Sequence, residues 1–262
     1  MKKTLCLIAV LLAPALANST LVLSISPNLG EAKYKELYQP LADNLTTLLQ
    51  EEVILDYSGD WLTFSKRMRR GDFDIVIDGP HFVAWRLVSI NLGHRGLVQL
   101  SGEDRFSLIK LTDTKGSTLK DFDNKVICSR NSPALETVHF LSRFTNPVLQ
   151  PRVHQITTPK QGLKALRNKR CDALVLRQDQ IPAGEEFSVV AESPAFPRPA
   201  MSVRGNVPAS VQNLLIDFFV GSEEWASKLG ATWNYQDELE IQAFNGDRYA
   251  DMDLLSAKVW GW

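Results

Sequence analysis

One short run gathers the groups best suited to hold an anion: Ser129-Arg130-Asn131-Ser132-Pro133. Hydroxyl and amide groups donate hydrogen bonds, and a guanidinium adds charge-assisted ones in a planar fork. Ser or Asn followed by Pro also marks a helix start, where the first N–H groups lack intrahelical partners. The same five residues serve equally well as an ordinary capped helix that holds nothing. Asp78 and His81, on one turn, could be drawn as an acid–base or metal pair. However, His81, His94, His139 and His154 show no H-E-x-x-H spacing, and the chain has no G-x-S-x-G, C-x-x-C or G-x-x-x-x-G-K-[ST]. The expectation is therefore binding without catalysis, with no cofactor and no metal.

The elements that would position this run form a repeated pattern. Residues 21–78 read strand, helix, strand, helix, strand: LVLSIS (21–26), a helix near Glu31–Leu49, VILDY (53–57), a helix near Asp60–Arg69, and FDIVID (73–78). Tyr34, Leu37, Tyr38, Leu41, Leu45 and Leu48 follow helical spacing. The order returns as KVICS (125–129), a helix near Pro133–Phe144, VHQIT (153–157), a helix near Pro159–Asn168, and DALVL (172–176). KRMRRGDFDIVI and KALRNKRCDALVL lead into the two third strands alike, with Asp74 and Asp172 in equivalent places. Two βαβαβ units are implied, with parallel strands and right-handed crossovers. LVQL and FSLIKLT within 94–114, and SVVAE (188–192) followed by a Pro-rich stretch and MSV (201–203), are candidate crossings between the two halves. Helices are predicted at Pro208–Phe219, Ser222–Leu229 and Asp247–Lys258.

Ligands of open parallel sheets sit at the carboxyl ends of the strands. Those ends carry Ser26-Pro27-Asn28, Ser58-Gly59-Asp60-Trp61, Gly79-Pro80-His81-Phe82, the 129–133 run, Thr158-Pro159 and Arg177-Gln178-Asp179. The candidate binding set is Ser26, Trp61, Gly79, His81, Phe82, Ser129, Arg130, Asn131, Ser132, Thr158 and Asp179. Trp61 and Phe82 either wall a cleft or fill the core; His81 either faces the cleft or is a hydrogen-bonded structural histidine. Trp233, Trp260 and Trp262 are expected to pack the tail. Micromolar binding needs about 8.2 kcal/mol. One helix end contributes roughly 0.3–1 kcal/mol and a charge-assisted hydrogen bond roughly 1.5–3. Groups from both halves must therefore converge, and closure must be coupled to binding.

The 262 residues are 44% hydrophobic and 23% charged, with 29 basic against 30 acidic side chains. That is globular composition, without the basic field that nucleic acid requires. Lys2, Lys3, the apolar run Leu5–Leu12 and Ala15-Leu16-Ala17 read as a signal peptide (residues 1–17) cleaved before Asn18. Loss of Lys2 and Lys3 takes the 29 basic groups to 27, a mature charge near -3. An exported chain holds Cys128 and Cys171 in an oxidising space, where thiols tend to pair. The alternative is two buried free thiols.

The segments YQPLADNLTTLLQ (38–50), DYSGDWLTFSKRMRRGDFDIVIDGPHF (56–82) and TLKDFDNKVICSRNSPAL (118–135) resemble the phosphate/phosphite/phosphonate-binding family of ABC-importer solute-binding proteins. That resemblance implies an α/β fold of two doubly wound βαβ lobes joined by a two-strand hinge, the type 2 periplasmic or Venus-flytrap fold. The expected division is lobe 1 over 18–110, lobe 2 over 111–195, and a return to lobe 1 with C-terminal helices over 196–262. It further implies a periplasmic monomer that captures a small anionic solute, phosphonate-, phosphate- or phosphite-like, and hands it to ABC permease subunits. Two other roles fit the same clamp: ligand sensing for a membrane histidine kinase, and binding of a different solute such as a sulfonate or amino acid. By the resemblance, Trp61 stands where the family places a ligand-contacting tyrosine, Phe82 and Val83 lie near another aromatic contact, and Ser129, Asn131 and Ser132 match the hydroxyl-rich helix start. Thr157-Thr158-Pro159 replaces a histidine common in phosphonate binders, which leaves room for a bulkier or less charged ligand. The cysteine pair resembles that of some amino-acid-binding relatives.

Overall fold

In a computed structural model, residues 20–256 are described. The signal-peptide residues, Trp260 and Trp262 lie outside them. The first repeat folds as β1 (Leu21–Ile25), α1 (Glu31–Leu49), β2 (Val53–Asp56), α2 (Trp61–Arg70) and β3 (Ile75–Asp78), followed by the short α3 (Pro80–Ala84). The crossing region gives β4 (His94–Leu100), β5 (Glu103–Asp104) and β6 (Phe106–Leu111). The second repeat gives β7 (Val126–Ser129), α4 (Leu135–Ser142), β8 (Arg152–Gln155), α5 (Pro159–Arg167) and β9 (Ala173–Arg177). The return runs through β10 (Phe187–Glu192), β11 (Phe196–Pro197) and β12 (Ala200–Arg204) to α6 (Ala209–Phe219), α7 (Glu223–Thr232) and β13 (Ile241–Ala243).

Two sheets result, ordered β13-β4-β12-β3-β1-β2 and β10-β6-β9-β7-β8. In each, the three strands of the repeat are parallel, and strands from the crossing region add antiparallel. The chain changes sheets twice, and at the changeover β5 and β11 pair with each other, Asp104 opposite Phe196. β6 lies in the second sheet, although the sequence reading kept residues up to 110 in the first lobe; it pairs antiparallel with both β9 and β10.

The repeat has a shared physical device. Asp74 accepts the Val22 N–H at 2.9 Å, and Asp172 accepts the Val126 N–H at 2.9 Å. Each carboxylate thus caps the first strand of its own unit from the lead-in to the third. The helices bury one face each: Tyr34, Tyr38, Leu41, Ala42, Leu45 and Leu49 of α1 join the core over the first sheet. Asp60 caps α2 through the Thr63 N–H at 2.9 Å, and Gly71 ends it at φ 74°, a conformation glycine adopts without penalty. Under the second sheet Cys128 and Cys171 are disulfide-bonded with Cα atoms 5.6 Å apart, within the range such a bridge needs.

The C-terminal helix expected over Asp247–Lys258 does not form in the described residues, where a single 3₁₀ turn covers Gly246–Tyr249. Met252, Leu254 and Leu255 instead pack against the second-lobe cluster around Phe106, Phe122 and Leu135, and Leu255 also meets the aromatic cluster of the first lobe. Leu255 thereby bridges the two clusters.

Candidate functional site

The strand ends of both sheets meet at two adjoining cavities of about 70 and 50 Å³. Each has room for a few water-sized groups. They share Asp104, Phe106, Arg130, Trp233 and Tyr235. The larger is completed chiefly by the second lobe: Glu136 of α4, Thr157, Thr158 and Pro159 at the start of α5, and Arg177 and Gln180 after β9. The smaller is completed by Ser26, Asn28, Trp61, Gly79, Pro80 and His81 from the first lobe, facing Pro133, Ala134 and Leu135.

Direct hydrogen bonds join the lobes across this cleft. His81 Nε2 lies 2.7 Å from the Pro133 carbonyl oxygen. Arg177 donates to the backbone carbonyls of Trp233 and Asn234 at 3.3 and 2.8 Å, while its Nε and Nη2 clasp Asp179 at 2.7 and 2.9 Å. Below the first-lobe wall, Asp78 and Arg86 form a fully buried bidentate pair at 2.6 and 3.0 Å. Asp78 is therefore committed to Arg86, and the imagined Asp78–His81 pair does not form.

The run 129–133 departs from the expected helix start. α4 begins at Leu135 with Ala134 as its N-cap, and the Ser132–Pro133 peptide is cis. A turn, closed by the Ala134 N–H on the Asn131 carbonyl at 2.9 Å, precedes it. Several of the donors there already have partners within the chain. Thr137 Oγ1 donates to the Arg130 carbonyl at 2.6 Å. Its one proton is thereby spent, so at 2.6 Å the fully buried Ser129 hydroxyl donates to Thr137. Arg130 is bidentate on Glu136 at 2.5 and 2.8 Å, and Asn131 donates to Gln155 at 2.9 Å. At α5, Thr158 caps the Gln161 N–H, and Gln161 takes the Thr157 N–H and hydroxyl.

Of the residues singled out from sequence, Ser26, Trp61, Gly79, His81, Arg130 and Thr158 line the cavities. Ser129 is buried behind the wall; Asn131 and Ser132 are beside it without lining it; Asp179 is one step back, holding Arg177. Phe82 is wholly buried and stacks on Trp61 at 5.1 Å between centroids, so it backs the wall from the core. Trp233, assigned to tail packing by the sequence reading, lines both cavities as well as touching the core. Sequence reasoning missed Asp104, Glu136, Arg177 and Tyr235. Arg177 was within reach, since it directly follows DALVL; the other three come from the hinge, the first turn of α4 and the C-terminal segment.

The electrostatics are those of a compensated site. Burial pushes the Asp104 carboxyl upward, against the hydrogen bond from Tyr235 at 2.6 Å and the nearby arginines. Burial likewise holds the Tyr235 phenol protonated as that donor. Burial also pushes Glu136 upward, but the charge and hydrogen bonds of Arg130 outweigh it, so Glu136 stays ionised. His81 is lowered to about 4 by burial and is neutral at pH 7. Among the described residues no group of three or more His, Cys, Asp and Glu could hold a metal ion, and no helix is long and apolar enough to cross a membrane.

Comparison with known proteins agrees with this architecture. Residues 23–236 match the family described as ABC transporter, phosphonate, periplasmic substrate-binding protein. A Xanthomonas citri protein solved with ATP bound superposes with a TM-score of 0.68 at 14% identity, over 92% of this chain and 100% of that one. The binding-protein component of an ABC phosphonate transporter from Pseudomonas aeruginosa gives 0.60 at 18% identity, over 88% and 83%. PhnD1 from Prochlorococcus marinus, in complex with methylphosphonate, gives 0.62 at 12% identity, over 89% and 96%. No curated protein matches in sequence. With a clamp of two α/β lobes and a family match over most of its length, the chain belongs to the periplasmic substrate-binding proteins of ABC phosphonate transporters.

Proposed function

We propose that the cleft between the lobes binds a compact phosphonate-type oxyanion and presents it, in the closed form, to the permease of its ABC transporter. The observation that carries this reading is the convergence of strand ends from both sheets on two joined cavities containing Arg130, Thr158, Trp61 and His81. Ser26 and Gly79 complete the first-lobe wall, Phe82, Ser129 and Asp179 back the wall residues, and Asn131 and Ser132 lie beside it. The cavities are of a size for a headgroup with a short substituent. A protein of this kind needs only to bind and release. We further propose that residues 1–17 are cleaved on export and that the mature chain is a monomer, with lobes exchanging at β5 and β11.

Isothermal titration of the mature protein against methylphosphonate, phosphate, phosphite, methanesulfonate and amino acids tests this reading. Tryptophan fluorescence should report binding, because Trp61 and Trp233 both line the cleft. Binding of a phosphonate-type anion, weakened in Trp61→Ala, is expected. Silence across the oxyanions, with an amino acid bound instead, would refute the ligand class.

A further inference from the structure

His81 carries an unused acceptor. Its Nε2 faces the Pro133 carbonyl oxygen, which can only accept, so the ring proton is on Nε2 and Nδ1 bears a bare lone pair. His81 is 4% exposed, and Nδ1 has no hydrogen-bond partner. Buried polar atoms without partners are uncommon. A Cβ on Gly79 would stand only 3.2 Å from Nδ1 and 3.0 Å from Cε1. Gly79 and His81 line the same cavity, and a side chain at Gly79 would crowd Nδ1, which is itself closed to solvent. A ligand O–H or N–H suits this atom; a fully deprotonated oxygen would set lone pair against lone pair.

The wall cations tell the same story. Arg130 is matched by Glu136, and Arg177 by Asp179. Glu136 sits in the first turn of α4, where a bound anion would otherwise profit from the helix end. The chain's own carboxylate has taken that place, and Asp104 adds a second carboxylate to the same cavity.

Resting on the phosphonate-class reading of this cleft, we propose that it selects its ligand by protonation state. It takes the singly charged form that keeps one hydroxyl, with His81 Nδ1 accepting that hydroxyl and Glu136 excluding a second negative charge. The charged groups facing His81 are Glu136 and Arg130 from the second lobe and Asp253 from the C-terminal segment. Between pH 5.5 and 9, His81 stays neutral, burial having lowered it to about 4, and Glu136 stays ionised beside Arg130. The ligand's second ionisation then governs binding.

The test is titration of the whole mature protein with methylphosphonate and with methanesulfonate, which has a similar shape, one charge and no hydroxyl. Methylphosphonate affinity, followed from pH 5.5 to 9, should be level below the ligand's own second pKa and fall about tenfold per pH unit above it. Methanesulfonate should bind more weakly than methylphosphonate at pH 5.5 and show no such fall. Glu136→Gln should flatten the methylphosphonate profile by admitting the doubly charged form. Gly79→Ala, which crowds Nδ1, should narrow the preference over methanesulfonate at pH 5.5. Methylphosphonate affinity that holds or rises with pH in the unsubstituted protein would overturn this inference and leave the ligand class standing. Binding of neither compound at any pH would overturn the ligand class and the inference together.

Discussion

Asp78 is the last residue of β3 and the anchor of the turn that presents Gly79, Pro80 and His81 to the cleft. Both of its oxygens are bound by Arg86, whose Nε also donates to Ser202 at 2.9 Å, and neither member of the ion pair has any solvent exposure. Asp78→Asn preserves shape but leaves the guanidinium charge without a counter-charge in the interior. Breaking a buried pair from one side costs about 3–5 kcal/mol. At 2–4 °C per kcal/mol for a chain of this size, the midpoint should drop by roughly 6–20 °C. Asp78→Leu combined with Arg86→Met removes both charges, and replacing a whole buried pair by apolar groups is often neutral or stabilising. The double variant should therefore be far closer to the unsubstituted protein than Asp78→Asn is. Urea unfolding and calorimetry of the two variants give the comparison. An Asp78→Asn variant within about 1 kcal/mol of the parent, or a double variant no better than Asp78→Asn, would refute the reasoning about uncompensated charge.

Three other outcomes follow from the buried histidines, the disulfide and the inter-lobe hydrogen bonds. Burial lowers His81 to about 4, His94 to about 3 and His139 to about 4, against 6.5 unfolded; the unfolded chain therefore binds more protons below pH 6.5, and stability is full above that value and lost as pH falls toward 4. For His81 alone the loss between pH 7 and 5 is about 2 kcal/mol, and urea midpoints flat across that range would contradict it. Reducing the Cys128–Cys171 bridge opens a 43-residue loop and should cost about 4 kcal/mol in the chain-entropy account, read as the difference in urea midpoint between Cys128→Ala/Cys171→Ala and the parent. Arg177→Met deletes two hydrogen bonds that tie the lobes, so small-angle scattering should show a larger radius and methylphosphonate affinity should weaken at least about tenfold; an unchanged radius would show that these bonds do not hold the clamp shut.

The fold was legible because it is written twice. Helical spacing in 31–49, caps and stops around 60 and 71, and matching lead-ins at Asp74 and Asp172 each encode a local preference, and the two units agree. The carboxylates of Asp74 and Asp172 do the same work, capping the N–H of Val22 and of Val126. The site was less legible. Trp61, Gly79 and His81 follow strands, so the strand-end rule reached them. Asp104 lies in a two-residue hinge strand, and Tyr235 comes from a segment after α7 that no local pattern directs to the cleft. The C-terminal reading failed for a related reason: Met252, Leu254 and Leu255 have the composition of a helix face, but the tertiary contact with the second-lobe cluster, and for Leu255 with the first-lobe aromatics as well, claims them outside a helix.

The anion cradle read into 129–133 illustrates a more general limit. Composition measures how many donors a segment contains, whereas binding depends on how many remain after the chain has satisfied itself. Here the Ser129 hydroxyl goes to Thr137, Thr137 to the Arg130 carbonyl, Arg130 to Glu136 and Asn131 to Gln155. The segment rich in donors therefore offers few, and the unsatisfied buried atom in the cleft wall is an acceptor on the opposite lobe, His81 Nδ1. A cleft with paired cations and a waiting acceptor asks its ligand to bring a proton. That reverses the demand a free anion cradle would make, and it does so through Glu136, a residue the sequence reading left without a role.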